Sequence, residues 1–326
     1  PSEDYVEGMC GKLYKSMYGT RDAAQNWEAA YTEFMIGIGF TVGKSSPCLF
    51  HHKDRDIRSV VHGDDFTLLG SRKSLDWFKD RIMDKFEIKY KGRMGERDTD
   101  IKSVRILNRI VNWTPDGIEY ESDQRHAEII VKQMGILANS KSVVTPGVRV
   151  RPGENPGDEK ELGPRETSIF RGIVARANYL SQDRSDIKYA TKELSRRMAK
   201  PRVRDVNAAK RLARYLSTRT RMICHFKKQK MPKEIEAWSD SDWAGCLETR
   251  KSTSGGLIKI GSHILKSWSI TQNTIALSSG EAEFYAMVKA GSQGLGMRSM
   301  MDDLGIQSHV KIITDATAAR GMAQRK

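Results

Sequence analysis

From Ile235 onward the chain alternates short β-rich runs with helix-forming runs in an order that few folds accept. Ile235-Glu-Ala-Trp-Ser239, Gly256-Leu-Ile-Lys-Ile260 and His263-Ile-Leu-Lys-Ser-Trp268 read as three successive strands, the last two joined by a Gly261-Ser262 hairpin turn. A helix is expected from Ser278, because Ser278 and Glu281 have capping-box spacing and Phe284, Ala286, Met287, Val288 and Ala290 supply its apolar surface. Val310-Lys-Ile-Ile-Thr314 returns to strand character, and Ala316 onward to helix. The expected order is β-β-β-α-β-α, opening on an antiparallel meander.

Three acids punctuate that order: Asp240 in Trp238-Ser-Asp-Ser-Asp-Trp243, Glu283 in Ser278-Ser-Gly-Glu-Ala-Glu-Phe284, and Asp315 in Ile312-Ile-Thr-Asp-Ala316. Each stands at a strand end or in the first turn of a helix, where a fold gathers residues distant in sequence. Oxygen ligands converging without His or Cys suit Mg²⁺ or Mn²⁺ rather than zinc, and this pattern reads as a nuclease site. Asp240 and Asp242 share a strand face, and we favour Asp240. Glu281 and Glu283 also compete; the capping box assigns Glu281 to the Ser278 backbone N–H and leaves Glu283 for the site. The structural alternatives are an Asp that caps the next turn, a Glu drawn to the positive end of its helix, and Asp315 as the N-cap of the final helix.

Upstream, β-rich runs at Ser59 to Val61 and Phe66 to Leu69 flank a His62-Gly-Asp-Asp65 turn that displays two adjacent carboxylates. Adjacent acids repel unless a cation shares them. A divalent metal there would activate a primer 3′-hydroxyl and neutralise a triphosphate; the alternative is an acidic surface turn, such pairs being common, as with Asp302-Asp303 in an expected helix. His51-His52 precede charged residues and are expected in a turn. Helices are expected at Ala29 to Ile38, Leu75 to Phe86, Gln124 to Met134, Phe170 to Leu180, Ile187 to Met198 and, after a break at Pro201, Val206 to Leu216. The stretch from Thr145 to Pro164 is rich in Pro and Gly without periodicity, as a linker is.

The chain has 55 Lys and Arg against 41 Asp and Glu, a net charge of +14 that suits a polyanionic partner. Arg196, Arg197, Lys200, Arg202, Arg204, Lys210, Arg211 and Arg214 crowd one helical region and could follow the phosphates of a duplex; an ordinary solvated helix surface is the alternative. A hydrophobic fraction of 38% over 326 residues supports two or three folded domains. No apolar run approaches the ~20 residues of a membrane span and no signal peptide is evident, so the expectation is no membrane and an intracellular location. Cys10, Cys48, Cys224 and Cys246 form no C-x-x-C pair, which points to reduced thiols.

Ser239-Asp-Ser-Asp-Trp-Ala-Gly245, Arg250-Lys-Ser-Thr-Ser-Gly255 and Ala276-Leu-Ser-Ser-Gly-Glu-Ala-Glu-Phe284 together resemble the ribonuclease H domain of copia-type LTR retrotransposon Pol polyproteins. Leu13-Tyr-Lys-Ser-Met-Tyr-Gly-Thr-Arg-Asp-Ala-Ala-Gln-Asn-Trp27 and Lys44-Ser-Ser-Pro-Cys-Leu-Phe50 are similar to strings of the family's reverse transcriptase, and Val60-Val-His-Gly-Asp-Asp-Phe-Thr-Leu-Leu69 sits where the family has its Y-V-D-D hairpin. The resemblance implies an α+β and α/β multidomain chain: a partial polymerase palm at 1–110, a thumb-like segment at 111–144, the linker at 145–164, a helical basic connection at 165–230, and a C-terminally truncated ribonuclease H-like domain at 231–326.

It further implies Asp64 and Asp65, and Asp240, Glu283 and Asp315, as catalytic metal ligands for Mg²⁺ or Mn²⁺. Arg196, Arg197, Lys200, Lys210, Arg211 and Arg214 would hold nucleic acid. The implied partners are an RNA–DNA hybrid, primer–template and dNTP, in a cytoplasmic particle or the nucleus. His62 and Gly63 stand where the family has Tyr and Val, which alters the side chains beside a primer terminus. The family's palm uses a further Asp upstream and its ribonuclease H a later acidic and basic or His-containing segment, so the chain reads as an excerpt of a longer polyprotein. Two alternatives stay open: an inactive remnant that binds hybrid, and a structural subunit of a homodimeric reverse transcriptase.

Overall fold

A computed structural model of the chain describes Tyr14, Ser16, Met17 and residues 19–149 and 157–325. Leu13, Lys15 and Tyr18 of the first string, Cys10, and residues 150–156 of the expected linker lie outside the described residues. Among the described residues the architecture is mixed α and β, with three four-stranded sheets. Two compact units divide it, one of residues 1–89 and 296–308, the other of 90–295 and 309–326.

In the first unit α1 (Ala23–Gly37) and α2 (Arg72–Lys85) accompany β1 (Thr41–Val42), β2 (Leu49–His52), β3 (Ile57–His62) and β4 (Asp65–Leu69), an antiparallel sheet in sequence order. Period-two burial in β3 turns Ile57, Ser59 and Val61 inward. Ile57 and Val61 meet Tyr31 and Met35 of α1 and Phe78 and Ile82 of α2 in an aromatic-rich core. Ser71 caps α2 by accepting from the Ser74 N–H. His51 and His52, expected in a turn, instead end β2, and His52 is buried edge-on against Phe40 and Trp77. Aromatic partners on both sides explain why strand geometry prevails there.

In the second unit β5 (Ser103–Ile106), β6 (Arg109–Thr114) and β7 (Gly117–Glu121) form a meander, followed by α3 (Gln124–Gln133). After the expected linker come α4 (Pro164–Leu180), a 3₁₀ turn at Ser185–Ile187, α5 (Lys188–Ser195) and α6 (Val203–Leu216). β8 (Ile223–Lys227) then returns to pair with β7, Ile118 opposite Phe226. Residues 157–163 carry one isolated bridge, Glu161 to Arg202, and otherwise no regular structure before α4. Helices α3 to α6 share a core that includes Ile130, Phe170, Val174, Leu212 and Leu216.

The C-terminal elements are β9 (Glu234–Asp242), β10 (Thr253–Ile260), β11 (His263–Thr271), α7 (Ser279–Asp303), β12 (His309–Ile313) and α8 (Thr317–Gln324), the β-β-β-α-β-α order read from the sequence. The sheet runs β11-β10-β9-β12, with β12 parallel to β9 and the other pairs antiparallel. Ala282, Ala286 and Ala290 of α7 are fully buried. Gly261, at φ +59, supplies the left-handed residue that the β10–β11 hairpin requires. At Gly256 a Cβ would stand 2.2 Å from Trp268 Cζ2 and 2.5 Å from the Trp238 carbonyl oxygen, so the indole packs directly onto bare backbone. Gly256→Ala is therefore expected to lower stability by about 1–3 kcal/mol through overpacking; urea unfolding measures it.

Candidate metal centre

β9 lies between β10 and β12, so a residue near its end can be approached from the helix before β12 and from the loop after it. Alternation buries Ile235, Ala237 and Ser239 and leaves Trp238 and Asp240 on the opposite, exposed face. Glu283 comes from the N-terminal part of α7, and Asp315 from the two residues between β12 and the cap of α8. One carboxylate oxygen from each of Asp240, Glu283 and Asp315 lies within 4.8 Å of the other two. Among the described residues no other group of three His, Cys, Asp or Glu gathers this closely.

The neighbouring acids have structural work instead. Asp242, which shares the face of Asp240, accepts a short hydrogen bond from the Thr253 backbone N–H across the strand pair. Glu281 accepts from the Leu277 N–H at 2.8 Å and the Tyr285 hydroxyl at 2.8 Å, while its own N–H donates to Ser278 Oγ at 3.1 Å. The capping-box partner is thus Leu277, one residue before the expected Ser278. α8 is capped by Ala316 rather than Asp315.

Glu283 Oε1 accepts from both the N–H and the hydroxyl of Ser241 at 3.1 Å. Its Oε2 is buried without a hydrogen-bond partner among the described residues. Burial raises the Glu283 carboxyl above its ordinary range, Asp240 and Asp315 adding to the rise against the two Ser241 bonds. Three facing carboxylates with one orphaned oxygen form a set that a hard divalent cation would satisfy.

Asp64 and Asp65 lie at the β3–β4 turn. Gly63 adopts φ +61 there, its carbonyl accepting from Trp27 Nε1 at 2.8 Å. Asp65 pairs with His62 as the first residue of β4, and Asp64 is exposed. The structure does not bring a third acid to this pair among the described residues.

No family model matches the chain. It is 28% identical to the Retrovirus-related Pol polyprotein from transposon RE1 of Arabidopsis thaliana, over 91% of this chain and 19% of that protein. With the corresponding polyprotein from transposon RE2 of the same plant the identity is 29%, over 95% of this chain and 20% of the relative. Over 91–95% of the chain its homologues are Pol polyproteins of copia-type retrotransposons. The chain spans about a fifth of the length of those relatives. A foamy viral protease-reverse transcriptase solved in complex with double-stranded DNA aligns with 93% of this chain and 44% of its own chain, with a TM-score of 0.47 and 10% identity.

The eight basic residues from Arg196 to Arg214 divide into two sets. Arg196 donates to Glu193 and to Cys246 Sγ at 2.8 Å, and Arg197 pairs with Glu248 at 2.7 Å. Arg202 and Arg204 both pair with Glu159, and Arg204 also with Glu248. Arg211 donates to Thr145 Oγ1. Lys200, Lys210 and Arg214 are exposed and form no ion pair among the described residues. Periodicity could not separate these sets, since Glu159 and Glu248 reach the arginines from 44 residues away or thereabouts. Burial pushes the Cys246 thiol up, but hydrogen bonds from Arg196 and Thr249 outweigh it and hold it at about 7.

The Arg197 hydrogen bond, with Arg204 adding and burial opposing, holds the Glu248 carboxyl at about 2, below its ordinary 4.5. A depressed acid contributes stability above its unfolded value and loses it as pH falls through its folded value. Wild type should therefore melt above Glu248→Gln at pH 7, with the gap closing between pH 4.5 and about 2; paired thermal melts across that range measure it. Half-exposure of Glu248 keeps the effect small. No helix among the described residues is long and apolar enough to cross a membrane.

Proposed function

We propose that the segment from 231 to 326 is a ribonuclease H-like domain that hydrolyses the RNA strand of an RNA–DNA hybrid, with Asp240, Glu283 and Asp315 holding Mg²⁺ or Mn²⁺. The observation that carries this reading is the approach of the three carboxylates to within 4.8 Å, with Glu283 Oε2 buried and unpartnered among them. A bound divalent cation supplies Lewis acidity toward a water nucleophile and the leaving 3′-oxygen. Ser241 fixes one Glu283 oxygen through two donors and so aims the other at the centre. Asp240 and Asp315, one from a strand and one from a loop, complete the acidic wall.

Upstream, 1–110 is proposed as part of a polymerase palm with Asp64 and Asp65 as its metal ligands for primer–template and dNTP, 111–144 as a thumb-like segment, 145–164 as a linker and 165–230 as a basic connection. Lys200, Lys210 and Arg214, exposed and without an ion pair among the described residues, are offered as its contacts to duplex phosphates.

Manganese uptake followed by electron paramagnetic resonance tests the centre independently of turnover. Saturable uptake that is lost in Glu283→Gln is the expected result. Hybrid binding without uptake or cleavage would instead indicate a binding remnant, and self-association with neither would indicate a structural homodimer subunit.

A further inference from the structure

The face of the β9–β10–β11 sheet that carries Asp240 is not bare. α5 lies over it: Lys188 Nζ donates to the Ser267 carbonyl at 2.9 Å and Lys192 Nζ to Thr253 Oγ1 at 2.9 Å. Between helix and sheet runs a cleft of about 360 Å³ whose lining includes Lys188, Tyr189, Asp240, Gly255, Ser267 and Ser269. That volume lies in the ordinary range of small-ligand clefts, about 300–1,000 Å³, and one nucleotide unit would fit.

Strand register explains why the cleft is open beside the metal centre. Asp240 stands directly opposite Gly255, which stands directly opposite Ser269. A Cβ built at Gly255 would meet only the Asp240 carbonyl oxygen, at 3.8 Å, and nothing else within 4 Å. Gly255 is also absent from the positive-φ glycines, so its backbone accepts any residue. Neither strain nor close packing therefore requires glycine here; what glycine provides is an empty place next to Asp240.

Lys188 supplies the second observation. Its ammonium has three donors, of which one is used on Ser267, and among the described residues it forms no salt bridge. Lys192, one turn on, is answered by Glu193 at 2.5 Å. Burial lowers the Lys188 pKa, with Asp183 opposing and Lys266 adding. A half-buried cation with spare donors calls for an anion.

We propose that this cleft seats the sugar–phosphate backbone of the strand to be cut, Lys188 donating to the phosphodiester beside the one undergoing hydrolysis and Gly255 leaving the room for it. The assignment rests on the nuclease reading above. Lys188 is a positioning residue, and the connection segment thereby builds part of the substrate site.

The test uses the full chain and two readouts, manganese uptake and anisotropy of a labelled RNA–DNA hybrid, for wild type, Lys188→Met, Gly255→Ala and Gly255→Val. Gly255→Ala keeps the backbone unstrained, and melting temperature confirms folding of each variant. Expected are wild-type manganese uptake in all of them, and hybrid affinity reduced roughly tenfold in Lys188→Met, the loss of one charge-assisted contact. Gly255→Val should reduce it at least as much and Gly255→Ala less. Unchanged affinity in folded Lys188→Met and Gly255→Val, with manganese uptake intact, overturns the cleft assignment alone. Failure of the wild-type chain to take up manganese overturns the nuclease reading and this assignment with it.

Discussion

Asp240→Asn should lower hydrolysis of a hybrid's RNA strand by at least about a hundredfold, the scale on which loss of a preorganised charge at a reacting centre is felt. Asparagine preserves the side chain's shape but removes one of three charges from a centre whose oxygens lie within 4.8 Å, so cation affinity falls with the rate. Asp242→Asn makes the contrast. Asp242 shares the strand face but is spent on the Thr253 N–H, and its amide should leave uptake of the cation in place while weakening the β9–β10 pair. Steady-state cleavage assays on both variants separate a ligand from a strand clip; equal losses would contradict the assignment.

The largest stability effect is expected at Arg184. Arg184 is 1% exposed, with Nε and Nη2 on the two Asp186 oxygens at 2.9 and 2.7 Å and Nη1 on the Arg219 carbonyl at 2.8 Å. Tyr215 donates to the same Asp186. Arg184→Met would fill similar volume with an apolar chain yet strand the Asp186 charge, and breaking such a pair costs about 3–5 kcal/mol. Denaturant unfolding should show this with hybrid cleavage retained at low temperature. Asp186→Asn with Arg184→Met together should recover part of the loss, because no unpaired charge then remains.

How much of this could be read from the sequence follows from the range of the interactions involved. The C-terminal order was legible because its strands are β-rich and Gly261 marks the β10–β11 hairpin, so local pattern and fold agree. Asp240, Glu283 and Asp315 could be singled out by their places at element ends, though only the structure shows Asp242 and Glu281 engaged elsewhere. The β5–β8 sheet was not legible: β6 is half-buried along its whole length, without alternation, and β8 pairs with β7 across roughly a hundred residues. Arg184 resembles any surface arginine until α6 and Asp186 close around it. The same holds for Lys188, whose meaning depends on Ser267 in a strand of another part of the chain.

The most direct measurement is cleavage of an RNA–DNA hybrid, labelled on each strand in turn, by the wild-type chain with Mg²⁺ or Mn²⁺ and with a chelator. The account predicts cuts in the RNA strand only, dependent on the cation and absent in Glu283→Gln. A hybrid that is bound but stays intact at saturating Mn²⁺ would contradict it.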